Sequence, residues 1–342
     1  MKRRKIKFGL VGLGRLGYEH TKNLSESIAS AELVAICDMN EEALRTTAEE
    51  FDIPKTYTDF EEMCKDPEIE AVVIVSPSMF HVNQVKIAMD AGKHVFVEKP
   101  LDTSIEKCKE CEEIVAAHPE LTFSIGFMRR FDKSYKIAKQ KIDNGDIGRI
   151  ILVRSYCQDN KKFIDMAIKF GPHSGGQFLD MCIHDIDTIR WFAGGVEARE
   201  MWGIGGCYEY EEYKNWNDGD NVSALIQFED DTMGFMFAGR AAAHGANIET
   251  EIIGTKGTLR IAAVGTDSLL EVLSENGVCR ECYPDWQARW HDAYIDELAD
   301  FADCIITGRK PEVTVQDGTK TLEIAYRCKE SFESKKMLKM RD

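Results

Sequence analysis

The chain has 342 residues, of which 44% are hydrophobic and 30% charged, and its formal net charge is −16. This length is enough for two domains of an ordinary globular protein. The acidic balance argues against nucleic acid or an anionic membrane as the main partner, and the longest wholly apolar run, residues 71–75, is far too short to cross a bilayer.

Strands alternate with helices through the first third of the chain. The predicted strands lie in KIKFGLV, AELVAICD, a short stretch near Tyr57, AVVIV, HVFVEKPL and LTFSIGF. Helical patterns separate these strands, and most of the strands are almost continuously apolar. Such a pattern predicts a parallel sheet covered on both faces, in a domain expected to span residues 1–126.

Beyond residue 126 the pattern changes. Helices are predicted at about 132–144, 177–193, 289–307 and 317–334. A strand, RIILVRSYCQ, and a glycine-rich loop lie between the first two helices. From residue 196 to about residue 282, apolar and polar residues alternate with period two. The second domain, residues 127–342, is therefore expected to be α+β, with a large open, mostly antiparallel sheet and helices on one side.

The stretch GLVGLGRLG contains the spacing Gly12-x-Gly14-x-x-Gly17 directly after a strand and at the start of a helix. In this context the pattern is typical of a Rossmann-type dinucleotide-binding domain. Gly12 permits the tight turn, Gly14 lets backbone amides approach a pyrophosphate, and Gly17 lets the helix pack close to its strand. The expected cofactor contacts of this loop are Gly12, Gly14, Arg15, Leu16 and Gly17.

Asp38 ends the second predicted strand, 21 residues after Gly17, where a carboxylate would bind the ribose hydroxyls. The next residues, Met39 and Asn40, include no arginine that could receive a 2′-phosphate. This favours NAD over NADP, while use of both nucleotides stays open.

Two further segments follow apolar strands at the same sheet edge, where ligands lie in open α/β sheets. SPSMFH begins at Ser76 and ends at His81, and VFVEKP contains Glu98 and Lys99. We expect Ser76, His81, Glu98 and Lys99 to contact the cofactor, although His81 can equally be a residue that begins a helix. A lysine directly after an apolar strand can shift its pKa and take part in proton transfer; a surface lysine is the simpler alternative.

The stretch GQFLDMCIHDIDTIRWF, residues 176–192, is apolar but carries Asp180, His184 and Asp187 one helical turn apart. A solvated helix face explains this line of polar residues. The alternative is a carboxylate that orients an imidazole for proton transfer. A metal site is not expected, because Asp185 points to a different helix face and no second histidine lies nearby.

Five motifs occur in a fixed order: GLVGLGRLG, EKPL, GFMRRFD, GGQFLDMCIHDID and IIGTKGTL. A chain with these motifs resembles the glucose–fructose oxidoreductase/inositol dehydrogenase family (Gfo/Idh/MocA) over essentially its whole length. GFMRRFD and the CDMN around Asp38 are most similar to the NAD-dependent inositol 2-dehydrogenases of that family. The resemblance also implies a homo-dimer or homo-tetramer formed through the sheet of the second domain.

The resemblance assigns roles residue by residue. Lys99 corresponds to the lysine of the EKP motif, and Asp180 and His184 correspond to the catalytic aspartate and histidine. The expected substrate-binding residues are Lys99, Arg129, Asn160, Asp180, His184 and Tyr294. The chain departs from the inositol pattern in AHGAN, which contains His244, and in Gln158, where a histidine is often found. The resemblance therefore leaves the particular polyol open.

The implied reaction is oxidation of a secondary alcohol of a cyclic polyol, such as myo- or scyllo-inositol, with hydride transfer to nicotinamide. His184 would accept the hydroxyl proton, Asp180 would orient its ring or bind a neighbouring hydroxyl, and Lys99 would stabilise the developing negative charge. The opposite division, with Lys99 as acid/base and His184 as the positioning residue, stays open. The alternatives are a sugar or glycoside dehydrogenase of the same family and a non-catalytic dinucleotide-binding regulator.

Eleven irregularly spaced cysteines predict reduced thiols and a cytoplasmic protein. Two pairs, Cys108/Cys111 and Cys279/Cys282, have metal-like spacing. Packing along a helix explains the first pair, and a passage from strand to loop explains the second. We therefore expect no metal cofactor.

Overall fold

The computed structural model describes residues 4–262, 266–275 and 277–341. The chain divides into two compact units, and each unit is built from two segments. The first unit comprises Met1–Phe131 and Asp292–Lys320, and the second comprises Asp132–His291 and Thr321–Asp342. Residues 292–320 thus belong with the first unit, whereas the predicted division at residue 126 placed them in the second domain.

The first unit contains a six-stranded parallel sheet in the order β3-β2-β1-β4-β5-β6. Its strands are β1 (Ile6–Val11), β2 (Ala31–Cys37), β3 (Lys55–Tyr57), β4 (Ala71–Ile74), β5 (His94–Glu98) and β6 (Phe123–Gly126). The order reverses beside β1, which creates the crevice at the carboxyl ends of the strands where such sheets bind ligands. The predicted parallel sheet is confirmed.

Helices connect these strands and cover the sheet. They are α1 (Arg15–Lys22), which continues into a π-helical turn (Asn23–Ser27), α2 (Glu41–Glu50), α3 (Phe60–Lys65), α4 (His81–Asp90) and α5 (Ile105–Ala117). Polar side chains fix several helix starts, because they accept the backbone N–H groups that a first turn leaves unpaired. Asn40 caps α2 in this way, Asp59 caps α3 and Ser104 caps α5.

The core of the first unit is completed by a helix from late in the chain, α10 (Trp286–Thr307). Leu298, Phe301 and Ala302 of α10 are buried against β1, β2, β4 and β5. The Phe301 ring centroid lies 6.3 Å from that of Phe8 and 5.8 Å from that of Phe96. Burial of this apolar surface explains why residues 292–320 fold with the parallel sheet.

The second unit contains a seven-stranded sheet in the order β12-β11-β7-β10-β9-β8-β15 and a separate hairpin, β13–β14. The strands are β7 (Ile150–Asn160), β8 (Ala198–Gly206), β9 (Asn221–Phe228), β10 (Met233–Ala242), β11 (Asn247–Gly254), β12 (Thr258–Ile261), β13 (Thr266–Ser274), β14 (Gly277–Cys282) and β15 (Leu338–Lys339). All neighbours in the larger sheet are antiparallel except β7 and β10, which are parallel. The predicted open, mostly antiparallel sheet is confirmed.

The other helices are α6 (Lys133–Asp143), α7 (Ile164–Phe170), α8 (Gln177–Asp180), α9 (Cys182–Phe192) and α11 (Val315–Ser334). The helix α7 lies within the segment that the sequence predicted as a glycine-rich loop. The predicted helix over 177–193 is interrupted at Met181, so that α8 and α9 are separate. Among the helices of the described residues, none is both long enough and apolar enough to span a bilayer.

Candidate active site

The glycine loop joins β1 to α1, and two of its glycines are required by packing. Gly12 has φ +96°, and a Cβ there would lie 2.7 Å from the Ser76 backbone nitrogen. A Cβ on Gly17 would lie 1.8 Å from the Gly12 carbonyl oxygen. A Cβ on Gly14, in contrast, would have no protein atom within 4 Å. The chain's own packing therefore does not require glycine at position 14.

Asp38 follows β2 and holds the glycine loop in place. Its Oδ2 accepts the Leu13 backbone N–H at 2.7 Å, and its Oδ1 accepts the Asn40 N–H at 2.9 Å. Arg15 and Leu16 begin α1 directly after the exposed Gly14. The first turn of a helix presents unpaired N–H groups that bind phosphate, and a carboxylate at this strand end binds ribose. The loop, α1 and Asp38 therefore fit a dinucleotide.

The loop after β4 is supported by His81. Its ring is 1% exposed, with Nδ1 2.9 Å from the Pro100 carbonyl oxygen and Nε2 2.8 Å from the Ser76 carbonyl oxygen. Burial lowers the pKa of His81. With both ring nitrogens against carbonyl groups, His81 supports the loop from within, and its contact with the cofactor stays a prediction. The Ser76 hydroxyl donates to Gln84 Oε1 at 2.5 Å, and its cofactor role stays a prediction.

Glu98 is the last residue of β5, and its side chain, like that of His81, lies in the interior of the first unit. Its Oε1 lies 2.8 Å from His20 Nε2, and its Oε2 accepts the Lys99 backbone N–H at 3.1 Å. Gly126 makes room for this carboxylate, because a Cβ there would lie 2.8 Å from Glu98 Oε1. Glu98 is 4% exposed and supports the half-buried Lys99, and its contact with the cofactor stays a prediction.

Two predicted substrate-binding residues of the first unit are buried. Arg129 lies in the short 3₁₀ turn Met128–Phe131 and is 2% exposed. Tyr294, on α10, packs edge-on against His20 with ring centroids 5.6 Å apart. Burial and the nearby Glu98 raise the pKa of Tyr294. The substrate roles of Arg129 and Tyr294 stay predictions.

Asp180 and His184 lie in the second unit, on either side of the helix break. Asp180 ends α8, His184 lies in the first turn of α9, and both are half-buried. The neighbouring Asp185 and Asp187 are fully buried, and the Ser155 hydroxyl donates to Asp185 Oδ1 at 2.5 Å. A solvated helix face therefore does not explain Asp187, which is the one fully buried member of the polar line.

Arg240 organises the surroundings of Asp180. It is salt-bridged to Asp180 through Nη2 and to Asp159 through Nη1, at 2.8 Å to Asp159 Oδ2. Its Nε donates to Gln177 Oε1 at 3.1 Å. Burial favours loss of the Arg240 proton, but the two carboxylates outweigh it and raise the pKa of Arg240. Arg240 therefore fixes two carboxylates in one orientation.

The sequence analysis missed Arg240 and Asp159. β7 and β10 are paired in parallel, so their carboxyl ends lie at the same edge of the sheet. Asp159 and Arg240 occur near those two ends. The one available signal was a charged residue within the apolar pattern of FMFAGRAAA.

Two more positions named in the sequence analysis, Asn160 and His244, lie in the second unit. The Asn160 side chain has two protein partners, because its Oδ1 accepts the Lys162 N–H at 3.0 Å and its Nδ2 donates to the distant Pro284 carbonyl at 3.1 Å. Its substrate role stays a prediction. His244, in the divergent AHGAN stretch, is exposed.

All eleven cysteines are free thiols. Cys108 and Cys111 are buried on α5, and burial raises the pKa of Cys111. Cys279 lies within β14 and is exposed, and Cys282 is the last residue of β14 and is half-buried.

A unit with a parallel sheet and a glycine loop at its reversal point, followed by a unit with an open mixed sheet and an Asp–His pair on its helices, defines a two-domain oxidoreductase. The chain belongs to the Gfo/Idh/MocA oxidoreductase family. Residues 6–127 match its NAD-binding Rossmann fold, and residues 139–340 match its C-terminal alpha/beta domain.

Among its relatives, the chain is 36% identical to the scyllo-inositol 2-dehydrogenase (NAD(+)) of Bacillus subtilis (strain 168), over 96% of this chain and 94% of that protein. It is 32% identical to the myo-inositol 2-dehydrogenase of Thermotoga maritima, over 98% and 99%. The fold is similar to a crystal structure of scyllo-inositol dehydrogenase from Lactobacillus casei with bound NAD(H) and scyllo-inositol. The TM-score is 0.96, with 41% identity over 99% of this chain and 100% of that chain.

Proposed function

We propose that the protein is an NAD-dependent dehydrogenase that oxidises one secondary alcohol of a cyclic polyol, scyllo- or myo-inositol, to the inosose. The observation that carries this proposal is the full-length similarity, at 41% identity, to an enzyme crystallised with NAD(H) and scyllo-inositol. The glycine loop and Asp38 support the cofactor assignment, since both have the geometry that a dinucleotide requires.

NAD, when bound, supplies the hydride acceptor. Gly12, Gly14 and Gly17 would hold its pyrophosphate at the start of α1, and Asp38 would bind its ribose hydroxyls. The open surroundings of Gly14 support this role, because the chain itself does not need glycine at that position.

His184 is proposed to accept the hydroxyl proton, since an imidazole suits that task at neutral pH. Asp180, salt-bridged to Arg240, would orient the ring or bind an adjacent hydroxyl. Lys99 would donate a hydrogen bond to the reacting oxygen and stabilise its developing negative charge. The exchange of roles between Lys99 and His184 is the competing assignment.

The function is tested by following NAD reduction by absorbance with a substrate panel. The panel contains myo-, scyllo- and chiro-inositol, glucose, galactose and several glycosides, and each substrate is repeated with NADP. We expect turnover of an inositol with NAD and much less with NADP. Turnover of a sugar alone would retain the reaction and replace the substrate. Binding of NAD without any turnover would favour a dinucleotide-binding regulator.

We also propose that the protein is a homo-oligomer, formed through one face of the seven-stranded sheet. Trp202 and Ile204 of β8 project from this face and are 47% and 48% exposed, and Leu225, paired with Trp202, is 50% exposed. Contiguous apolar side chains on a sheet face are characteristic of protein interfaces. The eleven free thiols support the further proposal of a cytoplasmic location.

A further inference from the structure

A buried cluster of titratable side chains in the first unit joins Glu98 to two residues that have no role in the chemistry described above. His20 of α1, Glu98 of β5 and Glu297 of α10 are 0%, 4% and 1% exposed. One nitrogen or oxygen atom from each lies within 4.8 Å of the other two. Neither carboxylate oxygen of Glu297 has a hydrogen-bond partner among the described residues, and His20 Nδ1 also has none.

The two carboxyl groups of this cluster have unequal surroundings. Glu98 faces His20 Nε2 at 2.8 Å and accepts the Lys99 backbone N–H at 3.1 Å, and both contacts stabilise a negative charge. Glu297 receives no such contact. The other titratable group packed here is Tyr294 of α10, and the cations Arg15 and Arg129 act on Tyr294.

A second ionised carboxylate in this position would be unstable. Burial penalises its charge, and the charge of Glu98 repels it at short range. These two causes raise the pKa of Glu297 well above its ordinary value. The cluster therefore disfavours a charge on Glu297, which receives no hydrogen bond, whereas the His20 ring and the Lys99 N–H both contact Glu98.

We propose that Glu297 is a neutral carboxylic acid in the working protein, that its proton is directed at Glu98, and that the His20–Glu98–Glu297 triad positions the backbone of Lys99. Glu297 is thus a positioning residue, since it acts on Lys99 through Glu98. The protonation of Glu297 is independent of the proposed function. The effect on Lys99 rests on the proposed function.

Infrared difference spectroscopy tests the proton directly. At neutral pH the wild-type protein should show the carbonyl band of a protonated carboxylic acid, and Glu297→Gln should remove it. Burial also raises the pKa of Asp218 in the second unit, so Asp218→Asn is the matched control and should leave the Glu297 band in place. An unchanged band in Glu297→Gln would overturn the proposal. If Glu297→Gln does not fold, an acid band that persists at neutral pH in Asp218→Asn supports the proposal, and its absence overturns it.

Stability against pH gives a second test with a defined sign. A carboxyl group whose pKa is raised on folding gives stability that is complete below the unfolded pKa and is lost as the pH rises toward the folded pKa. Glutamine stays neutral, so the Tm of Glu297→Gln minus that of wild type should increase between about pH 5 and about pH 9. A constant or decreasing difference would contradict the proposal. So would a stoichiometric metal ion that is present in wild type and lost in the variant.

Activity supplies the readout for positioning. The ratio of kcat/KM at about pH 9 to that at about pH 7 should be higher in Glu297→Gln than in wild type, because the variant cannot gain a second buried charge. A purely structural role for Glu297 would change both values by the same factor. Because the infrared band is independent of turnover, failure of the inositol assignment and failure of this proposal are distinguishable.

Discussion

Arg240 binds two carboxylates, Asp180 and Asp159, with one planar guanidinium. All three of its nitrogens are used, because Nε donates to Gln177. The fork geometry of a guanidinium allows this arrangement, whereas an ammonium group has a single nitrogen. The orientation of Asp180, four residues before His184, therefore depends on an arginine at this position.

Arg240→Lys should keep the charge and lose the orientation. We expect kcat/KM for the polyol to fall by roughly 10- to 100-fold, with little change in the Kd for NAD. Steady-state kinetics and fluorescence titration with NAD measure the two effects. Arg260→Lys is the control, since Arg260 is an exposed residue of the same sheet that pairs with Glu251. Wild-type kinetics in Arg240→Lys would show that Asp180 needs no such support.

His184→Ala should lower turnover by about 10²- to 10⁴-fold and leave NAD affinity nearly unchanged, because it removes the proposed proton acceptor. His173→Ala, at an exposed loop histidine, is the control. Wild-type turnover in His184→Ala would refute this role and would favour Lys99 as the acid/base.

The sequence predicted correctly the backbone geometry of residues whose conformation is set by neighbouring residues. Gly12 and Gly17 have the geometry expected of them, because a strand, a turn and a helix start define it, whereas the ribose contact of Asp38 stays a prediction. The sequence did not predict the internal contacts of His81 and Glu98. Their partners, the Pro100 carbonyl and the His20 ring, belong to other parts of the fold that no local pattern reveals.

At the level of elements, the loop between β1 and α1 has one glycine that packing requires and another that packing does not require. Gly17 is required by contact with the Gly12 carbonyl, whereas Gly14 has open surroundings. The same substitution at the two positions should therefore affect two different properties.

Gly17→Ala should lower Tm by roughly 5–10 °C, because its Cβ would overlap a backbone oxygen. Gly14→Ala should leave Tm near that of wild type and weaken NAD binding by about 10-fold, because its methyl group would meet the pyrophosphate. Thermal unfolding and NAD titration of both variants measure these effects. Unchanged NAD affinity in Gly14→Ala would place the pyrophosphate elsewhere.

The break between α8 and α9 shows that apolar periodicity alone does not locate the end of a helix. The apolar spacing of Leu179, Ile183 and Ile186 continues through Met181, so the sequence predicts one helix. The structure anchors α8 separately, through Gln177, whose backbone N–H donates to Asp218 at 2.9 Å. Such anchors are tertiary contacts, and a pattern of apolar residues does not report them.

At the level of the whole molecule, the apolar sheet face predicts the oligomeric state. Trp202→Lys combined with Leu225→Lys should reduce the particle mass measured by light scattering, because two charges would enter the proposed interface. Ile137→Lys, on the exposed side of α6, is the control and should leave the mass unchanged. A monomeric wild-type protein would contradict the proposed assembly.

The return of α10 to the first unit has a consequence for synthesis. When Phe131 has left the ribosome, the parallel sheet is complete, but the side chains that cover one of its faces, Leu298, Phe301 and Ala302, have not yet been translated. The nascent chain therefore carries uncovered apolar surface for about half of its elongation, the condition under which chaperones bind. A chimaera that exchanges the nucleotide-binding unit between relatives must accordingly transplant both segments.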